Sequence, residues 1–329
     1  MIICRTPLRI SLFGGGTDYP SWYREHGGQV ISFTVNKYSY ITLRRLPPFF
    51  NYRYRIRYYQ TEEVVHIDDI KHPVVREGLI DQMIDEPLEI VHTSDLPARS
   101  GLGSSSTFTV GFHHALQTLK HYLPTKRELA LNAIRFEQDR LLESVGSQDQ
   151  VAAAFGGFNH ITFGGNAEFH VNPIVISQSN LDILQQHLLL CFTGFQRDAS
   201  NVAFEQIRTI NSKRVELNHI NDISSEALKA LNQPQLNPQH IGQLLHRQWL
   251  LKRDLTSLIT NDAINTIYEV GINAGAYGGK LLGAGGGGFL IFIADPEIQS
   301  EICHRLKEYM FVPVRMEFSG SSIIYFTHD

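Results

Sequence analysis

The run Leu96-Pro97-Ala98-Arg99-Ser100-Gly101-Leu102-Gly103-Ser104-Ser105-Ser106 carries the strongest chemical signal in this sequence. A glycine-containing loop feeds directly into a helical pattern whose first turn is all serine. The first N–H groups of a helix lack intrahelical partners and lie at the positive end of its dipole, which suits phosphate. Gly101 and Gly103 let the backbone approach an anion with no Cβ between. The hydroxyls of Ser104, Ser105 and Ser106 can cap the helix, bind phosphate oxygen or ligate Mg²⁺. A merely capped helix needs one such serine, so three behind Gly-Leu-Gly favour anion binding. The chain has no G-x-x-x-x-G-K-[ST], which excludes a Walker-type nucleotide loop.

Two carboxylates and a guanidinium stand out next. Glu137 lies in a helical pattern over residues 126–143, and Asp149 follows a break at Gly146. On one straight helix their separation would be roughly 18 Å; a turn at Gly146 lets both face one cleft. By residue type alone, Glu137 reads equally as part of a solvated helix face, and Asp149 as a carboxylate favoured by a helix dipole. Ser147, Gln148, Gln150 and the small residues 152–154 make the second helix look crowded and functional. Arg9, within an N-terminal strand, is either a surface cation or a partner that keeps a carboxylate ionised. Asp18, after Gly14-Gly15-Gly16-Thr17, is a natural turn former. The run 283–288 satisfies G-x-G-x-x-G literally, but a dinucleotide fingerprint must open a helix. Residues 289–293 are apolar and β-prone throughout, so a strand–glycine loop–strand element is expected instead.

The elements that must position these groups form a mixed α/β pattern. Strands are expected at 30–35, 38–43, 51–59, 88–92, 158–163 and 168–171, with helices at 104–120 and 126–143. Beyond about residue 177 the texture shifts to long amphipathic helices at 198–211, 220–231, 238–258, 262–274 and 296–309. Strands at 188–192, 280–282, 289–294, 312–318 and 322–326 accompany them. A chain of 329 residues exceeds one compact core, so two domains are expected, 1–177 and 178–329. A net charge of −4 gives no field for nucleic acid or an anionic membrane. The stripe Arg53, Arg55 and Arg57 is read as a solvated strand face and not as an RNA surface. His113 and His114 lack metal-ligand spacing; one is expected packed and the other exposed. Cys4, Cys191 and Cys303 are scattered with no C-x-x-C pair, which fits reduced thiols in a cytosol. The N-terminus reads as a strand entering a turn and not as a signal peptide. No apolar run approaches the ~18 residues of a membrane span.

Three ordered segments together resemble the motifs of the GHMP kinases: Thr6-Pro7-Leu8-Arg9 through Thr17-Asp18-Tyr19, residues 97–106, and Lys280 through Phe289. Within that family, Gly14-Gly15-Gly16-Thr17-Asp18-Tyr19-Pro20, the stretch 53–58, His72 through Glu77 and Gly146-Ser147-Gln148-Asp149-Gln150 resemble the D-glycero-D-manno-heptose 7-phosphate kinases. Bifunctional fucokinases share some of these. The resemblance implies an α+β fold, with an N-terminal ribosomal-S5-like domain, a C-terminal ferredoxin-like domain and an active cleft between them. It implies ATP-dependent phosphorylation of a sugar phosphate at its anomeric hydroxyl. Residues 101–106 (Gly101, Leu102, Gly103, Ser104, Ser105, Ser106) would cradle ATP, with Gly285, Gly286 and Gly287 closing over it. Ser105 and Glu137 would hold Mg²⁺, and Asp149 with Arg9 would perform catalysis. Gly15, Gly16, Thr17, Asp18, Tyr19 and Arg197 would meet the sugar; Arg197 alternatively meets the ATP phosphates. Galactokinases carry Glu-His where this chain has Gly15-Gly16, so a longer phosphosugar is expected here, its distal phosphate on Arg99, Arg197 or Lys37. A ligand sensor that keeps the fold without catalysis is the contrasting alternative, opposed by the joint presence of Ser105, Glu137 and Asp149.

Overall fold

The computed structural model describes residues 1–165, 168–195 and 199–328. Strands β1 (Ile2–Phe13) and β2 (Gly28–Arg45) pair antiparallel along nearly their whole length and form the spine of the first sheet; a short helix α1 (Pro20–His26) joins them. The sequence suggests two strands where β2 is one, because polar Asn36 and Lys37 read as a break. The strand continues because Asn36 has partners: its N–H reaches Arg315 O at 2.9 Å and its Oδ1 accepts from Arg315 N at 2.8 Å.

Strands β3 (Tyr54–Arg57) and β4 (Thr61–Val64), helix α2 (Pro73–Asp81) and strand β5 (Leu88–Ser94) follow. The three arginines of the β3 region are matched by acids: Arg53 to Asp85 at 3.1 Å, Arg55 to Glu63 at 2.9 Å and Arg57 to Glu89 at 3.7 Å. That stripe is therefore neutralised and offers nothing to a nucleic acid backbone. Helices α3 (Ser104–Leu119), α4 (Lys126–Arg135) and α5 (Gln148–Phe155) cover the sheet, and strands β6 (Phe158–Phe163) and β7 (Phe169–Pro173) extend it. Helix α3 is buried on almost every side, since β1, β2, α4 and α5 all pack on it. Both His113 and His114 are therefore buried, contrary to the expected packed-and-exposed pair. Burial pushes each imidazole down to about 4, so both are neutral.

The second sheet is smaller. Helix α6 (Gln178–His187) leads into β8 (Leu188–Phe192), and helices α7 (Ala199–Thr209), α8 (Arg214–Leu231), α9 (Pro238–Arg253) and α10 (Asp262–Asn273) follow. Strands β9 (Gly278–Leu281) and β10 (Phe289–Ile293) flank the glycine run, and helix α11 (Pro296–Arg305) precedes β11 (Met310–Phe311). The order is β11-β8-β10-β9, with β10 wholly buried in keeping with its unbroken apolar sequence. Strands β12 (Met316–Glu317) and β13 (Ser322–Phe326) then return to the first sheet, on β2 and β1. The division into 1–177 and 178–329 separates the two sheets except for this return. Nothing in a short strand's own sequence says which edge it will join. Among the described residues no helix is long and apolar enough to cross a membrane.

The two sheets are locked together where the two glycine loops touch. Phe289 N donates to Ser100 O at 3.0 Å. A Cβ on Gly101 would lie 2.5 Å from Leu282 O, and one on Gly283 would lie 2.7 Å from Gly101 Cα. Gly283→Ala should therefore lower stability by about 2–4 kcal/mol, from left-handed backbone strain plus a backbone collision. Gly165 has similar backbone (φ 71) but nothing within 4 Å, so Gly165→Ala should cost only about 1 kcal/mol. Urea denaturation of both variants checks this; equal losses would mean that the loops are not tightly interlocked.

Candidate active site

Strand β1 shifts register between Pro7 and Arg9, where proline has no N–H to give the ladder. The irregularity frees the Arg9 N–H for Leu102 O, at 3.1 Å, so the strand is tied to the loop ahead of α3. The Arg9 side chain then forks onto Asp149: Nε donates to Oδ1 and Nη2 to Oδ2, both at 2.7 Å. Its third arm, Nη1, donates to Gly101 O at 2.8 Å. This paired geometry fixes the direction of the carboxylate. The Asp149 side chain is still 23% exposed, and each oxygen keeps a lone pair for an incoming hydroxyl. Asp149 Oδ2 would lie 3.1 Å from a Cβ on Gly103, so the pair abuts the serine-headed loop.

Helix α3 starts at Gly103, which is left-handed (φ 75), with no side-chain cap and no acidic residue in its first turn. Its leading N–H groups are therefore arranged for an external anion. Leu102 buries its side chain in the core and contributes its backbone. Ser104 Oγ accepts from Arg99 N at 3.2 Å and so steadies the loop, while Ser105 is exposed. The serine that meets Glu137 is Ser106, whose Oγ donates to Glu137 Oε2 at 2.9 Å. Ser106 makes this direct contact because it occupies the inward face of the helix, whereas Ser105 faces outward.

Glu137 is wholly buried, which removes the solvated-face reading. The expected helix 126–143 gives way to a π-helical turn, Phe136–Arg140, and such a turn redirects a side chain inward. Gln150, also wholly buried and next to Asp149, donates its Nε2 to Glu137 Oε2. Glu137 Oε1 is buried with no hydrogen-bond partner among the described residues, and burial pushes the carboxyl up to about 7. A buried oxygen in that condition fits a hard cation. The break at Gly146 thus lets α5 return against the π turn, with Gln150 as the residue that reaches Glu137.

Asp18 braces the first glycine loop against α5. Its Oδ1 accepts from Gly16 N at 3.0 Å, its Oδ2 from Gln148 N at 3.4 Å, and its carbonyl from Ser147 N at 2.9 Å. A Cβ on Gly146 would fall 2.0 Å from Asp18 Oδ2, so Gly146 makes room for this carboxylate as well as turning the chain. Burial raises the Asp18 pKa, and the hydrogen bond from Gly16 opposes that. The Thr17 hydroxyl donates within reach of Gly14 O (2.9 Å) and Gln29 O (3.0 Å), so Thr17 shapes the loop and does not face a ligand. Gly16 and Tyr19 line a narrow cleft with Gln206, Lys213, Leu217 and Leu255. Gly285 packs on Ile259 and Gly287 on Phe195, while Gly286 N donates to Ile259 O at 2.8 Å. In the glycine run it is Gly283 and Gly288 that touch Ser100 and Gly101. Arg99 is exposed, and Arg197 lies outside the described residues.

Two lysines complete the site without having been singled out from sequence. Lys280 Nζ donates to Ser11 O (2.9 Å) and Leu12 O (3.1 Å), and burial pushes its pKa well down. Lys252 Nζ donates to Gly283 O at 2.7 Å, and burial pushes it down to about 8. A lysine opening an apolar strand is a readable signal for Lys280. Lys252 gave none, since Lys252-Arg253 at the end of α9 looks like an ordinary basic helix terminus.

Comparison with known proteins agrees with this geometry. Residues 72–157 match the GHMP kinases N terminal domain and residues 227–311 the GHMP kinases C terminal domain. A D-glycero-alpha-D-manno-heptose 7-phosphate kinase of Campylobacter jejuni is 31% identical over 323 residues, 92% of each chain. A bifunctional fucokinase/GDP-fucose pyrophosphorylase of Arabidopsis thaliana is 24% identical over 338 residues, covering 94% of this chain and 31% of that one. A crystal structure of a D-glycero-D-manno-heptose 1-phosphate kinase from Bacteroides thetaiotaomicron shares the fold, with TM-score 0.78 and 24% identity over the whole of both chains. An uncapped phosphate loop, a carboxylate–guanidinium pair against it and both family domains in order have one reading: the chain belongs to the GHMP kinases, and it is an ATP-dependent phosphotransferase acting on a hydroxyl.

Proposed function

We propose that the protein phosphorylates the anomeric hydroxyl of D-glycero-D-manno-heptose 7-phosphate, giving the 1,7-bisphosphate used in nucleotide-heptose synthesis. The observation that carries the chemistry is the Arg9–Asp149 pair lying against the phosphate loop. Two things support the sugar: the similarity to the Campylobacter enzyme over nearly the whole chain, and the absence of side chains at Gly15 and Gly16.

The backbone N–H groups at the start of α3 hold the ATP phosphates. Asp149 accepts a hydrogen bond from the acceptor hydroxyl and takes its proton as the oxygen attacks the γ-phosphorus. The bond from that phosphorus to the β,γ-bridging oxygen breaks, and ADP leaves. Arg9 holds Asp149 fixed in direction, so little reorganisation accompanies the step. Ser105 and Glu137 are the residues that would hold Mg²⁺, which when bound neutralises charge on the phosphates; Ser106 and Gln150 fix Glu137 for that task. A fucokinase-like activity is the second reading, supported by the match to the fucokinase chain. A non-catalytic sensor is disfavoured, since it has no need of a buried, doubly hydrogen-bonded ion pair.

Asp149→Asn keeps the shape but removes the base, so kcat should fall by about 10²–10⁴-fold with ATP binding retained. Steady-state kinetics on the folded variant measures this, and near-wild-type turnover would remove Asp149 from the mechanism. Glu137→Gln and Ser105→Ala should each raise the Mg²⁺ concentration needed for half-maximal rate; a titration unchanged in both would dismiss the metal site. For the substrate, kcat/KM should be highest for heptose 7-phosphate among that sugar, the unphosphorylated heptose, mannose and fucose. Binding at a remote phosphate helps to orient the reacting hydroxyl, so its removal should lower kcat and raise KM together. Fucose equal to or better than the phosphorylated heptose would transfer the assignment to the fucokinase reading. Methionine at Arg99, Arg197, Lys37 or the cleft residue Lys213 should erase the preference at one position only, which locates the distal site.

A further inference from the structure

Three buried cations converge on the end of β1: Arg9, Lys252 and Lys280 are 3%, 4% and 1% exposed. Two of them are held at more than one point. Arg9 gives its fork to Asp149 and its third arm to Gly101 O, and Lys280 cross-links β9 to the carbonyls of Ser11 and Leu12. Lys252 differs. An ammonium carries three N–H donors, and the hydrogen-bond partner of Lys252 among the described residues is Gly283 O alone. It makes no ion pair with a carboxylate among those residues. A buried ammonium so lightly held is costly unless an anion joins it.

The surroundings indicate where that anion sits. A Cβ on Gly15 would lie 3.6 Å from Lys252 Nζ, 3.6 Å from Ser11 Oγ and 3.7 Å from Gln148 Nε2. Ser11 Oγ is itself buried without a hydrogen-bond partner among the described residues, and the Gln148 atom beside Gly15 is its donor nitrogen. Three polar side chains thus border a space that Gly15 leaves open. Lys252 is anchored to Gly283, which packs on Gly101 of the phosphate loop, and Asp149 borders the same loop at Gly103. We infer that Lys252, carried by α9 of the C-terminal half, is a ligand of the phosphoryl group in transfer, reaching its oxygens between the ATP loop and the acceptor. It is a catalytic residue additional to Arg9 and Asp149. The inference rests on the phosphotransferase reading but not on the identity of the sugar.

A ligand of this kind must be charged. The groups facing Lys252 are Arg9 on β1 and Lys280 on β9, which oppose its charge, and Asp18 and Asp149, which favour it. With burial the ammonium titrates at about 8, so it is cationic below that pH and lost above it. A phosphoryl ligand therefore makes kcat/KM, which reports the free enzyme, fall as pH rises through that value, whereas a neutral amine acting as base would make it rise.

The test uses the full chain with ATP, Mg²⁺ and whichever sugar the wild type turns over best. ATP hydrolysis without acceptor is followed in parallel, so a wrong sugar assignment leaves the comparison intact. Lys252→Met should lose about 10²–10³-fold in kcat, the worth of one charge-stabilising donor, with ATP affinity measured by calorimetry changed only a few fold. Lys252→Arg should recover at least about tenfold of that loss and abolish the alkaline fall, because guanidinium does not titrate in this range. A folded Lys252→Met with kcat within threefold of wild type overturns the inference. So does equal loss in both variants with the alkaline fall unchanged. If the methionine variant does not fold, the wild-type profile decides: a flat or rising kcat/KM from pH 7 to 9.5 overturns it.

Discussion

Arg9 makes four separate hydrogen bonds to two other parts of the chain, and most of the site follows from that. Its backbone N–H and one guanidinium arm hold the phosphate loop, while the other two arms hold Asp149 at the start of α5. A guanidinium that is 3% exposed is tolerated only with matched donors, and here each of its three nitrogens gives a hydrogen bond. The pairing therefore dictates the relative positions of β1, the loop and α5 as much as it serves chemistry. A lysine at position 9 would keep the charge but lose the fork, and with it the simultaneous grip on Asp149 and Gly101.

Glycine performs the complementary task of bringing backbones closer than any side chain permits. Gly101 and Gly283 meet across the two halves of the molecule, and Gly146 leaves the space that Asp18 fills. Closeness of this kind brings together charges that would otherwise be separated by side-chain bulk. It also explains why the site holds Arg9, Lys252 and Lys280 against Asp18 and Asp149: a dry, crowded junction with an excess of positive groups is suited to a multiply charged phosphate and to little else.

Much of this was legible in the sequence, for identifiable reasons. Strands Phe158–Phe163, Leu188–Phe192 and Ser322–Phe326 fall where bounded apolar or alternating runs predict them. The phosphate loop announces itself because glycine and serine types there have no better structural explanation. What was not legible depends on partners that a linear pattern does not contain. The π turn at Glu137 interrupts a helix whose periodicity continues through it. His113 and His114 are both buried because α3 is enclosed on every side, which a two-faced helix pattern does not anticipate. That Ser106 is the serine in direct contact with Glu137 depends on helix rotation against α4, a tertiary quantity. Lys252 became meaningful only when Gly283, Ser11 and Gln148 were seen around it.

The return of the chain's end to the first sheet fits the same physical logic. β13 pairs with β1 from Ile2 to Arg5, and β2 pairs from Ile2 to Phe13, so the start of the strand that carries Arg9 is held on both sides. β12 adds Met316 and Glu317 beside Val35 and Thr34, directly across β2 from Arg9's own pairing with Thr34. Thr34 Oγ1 donates to Glu317 O at 2.6 Å and fixes that crossing. Electrostatic catalysis depends on charges that do not relax when the reacting charge moves. A strand clamped at its start by the chain's last residues, and at its end by two lysine-bound carbonyls, is a support of that kind. The mobile partner, ATP with its sugar, then adjusts to a charge pattern already set by the fold.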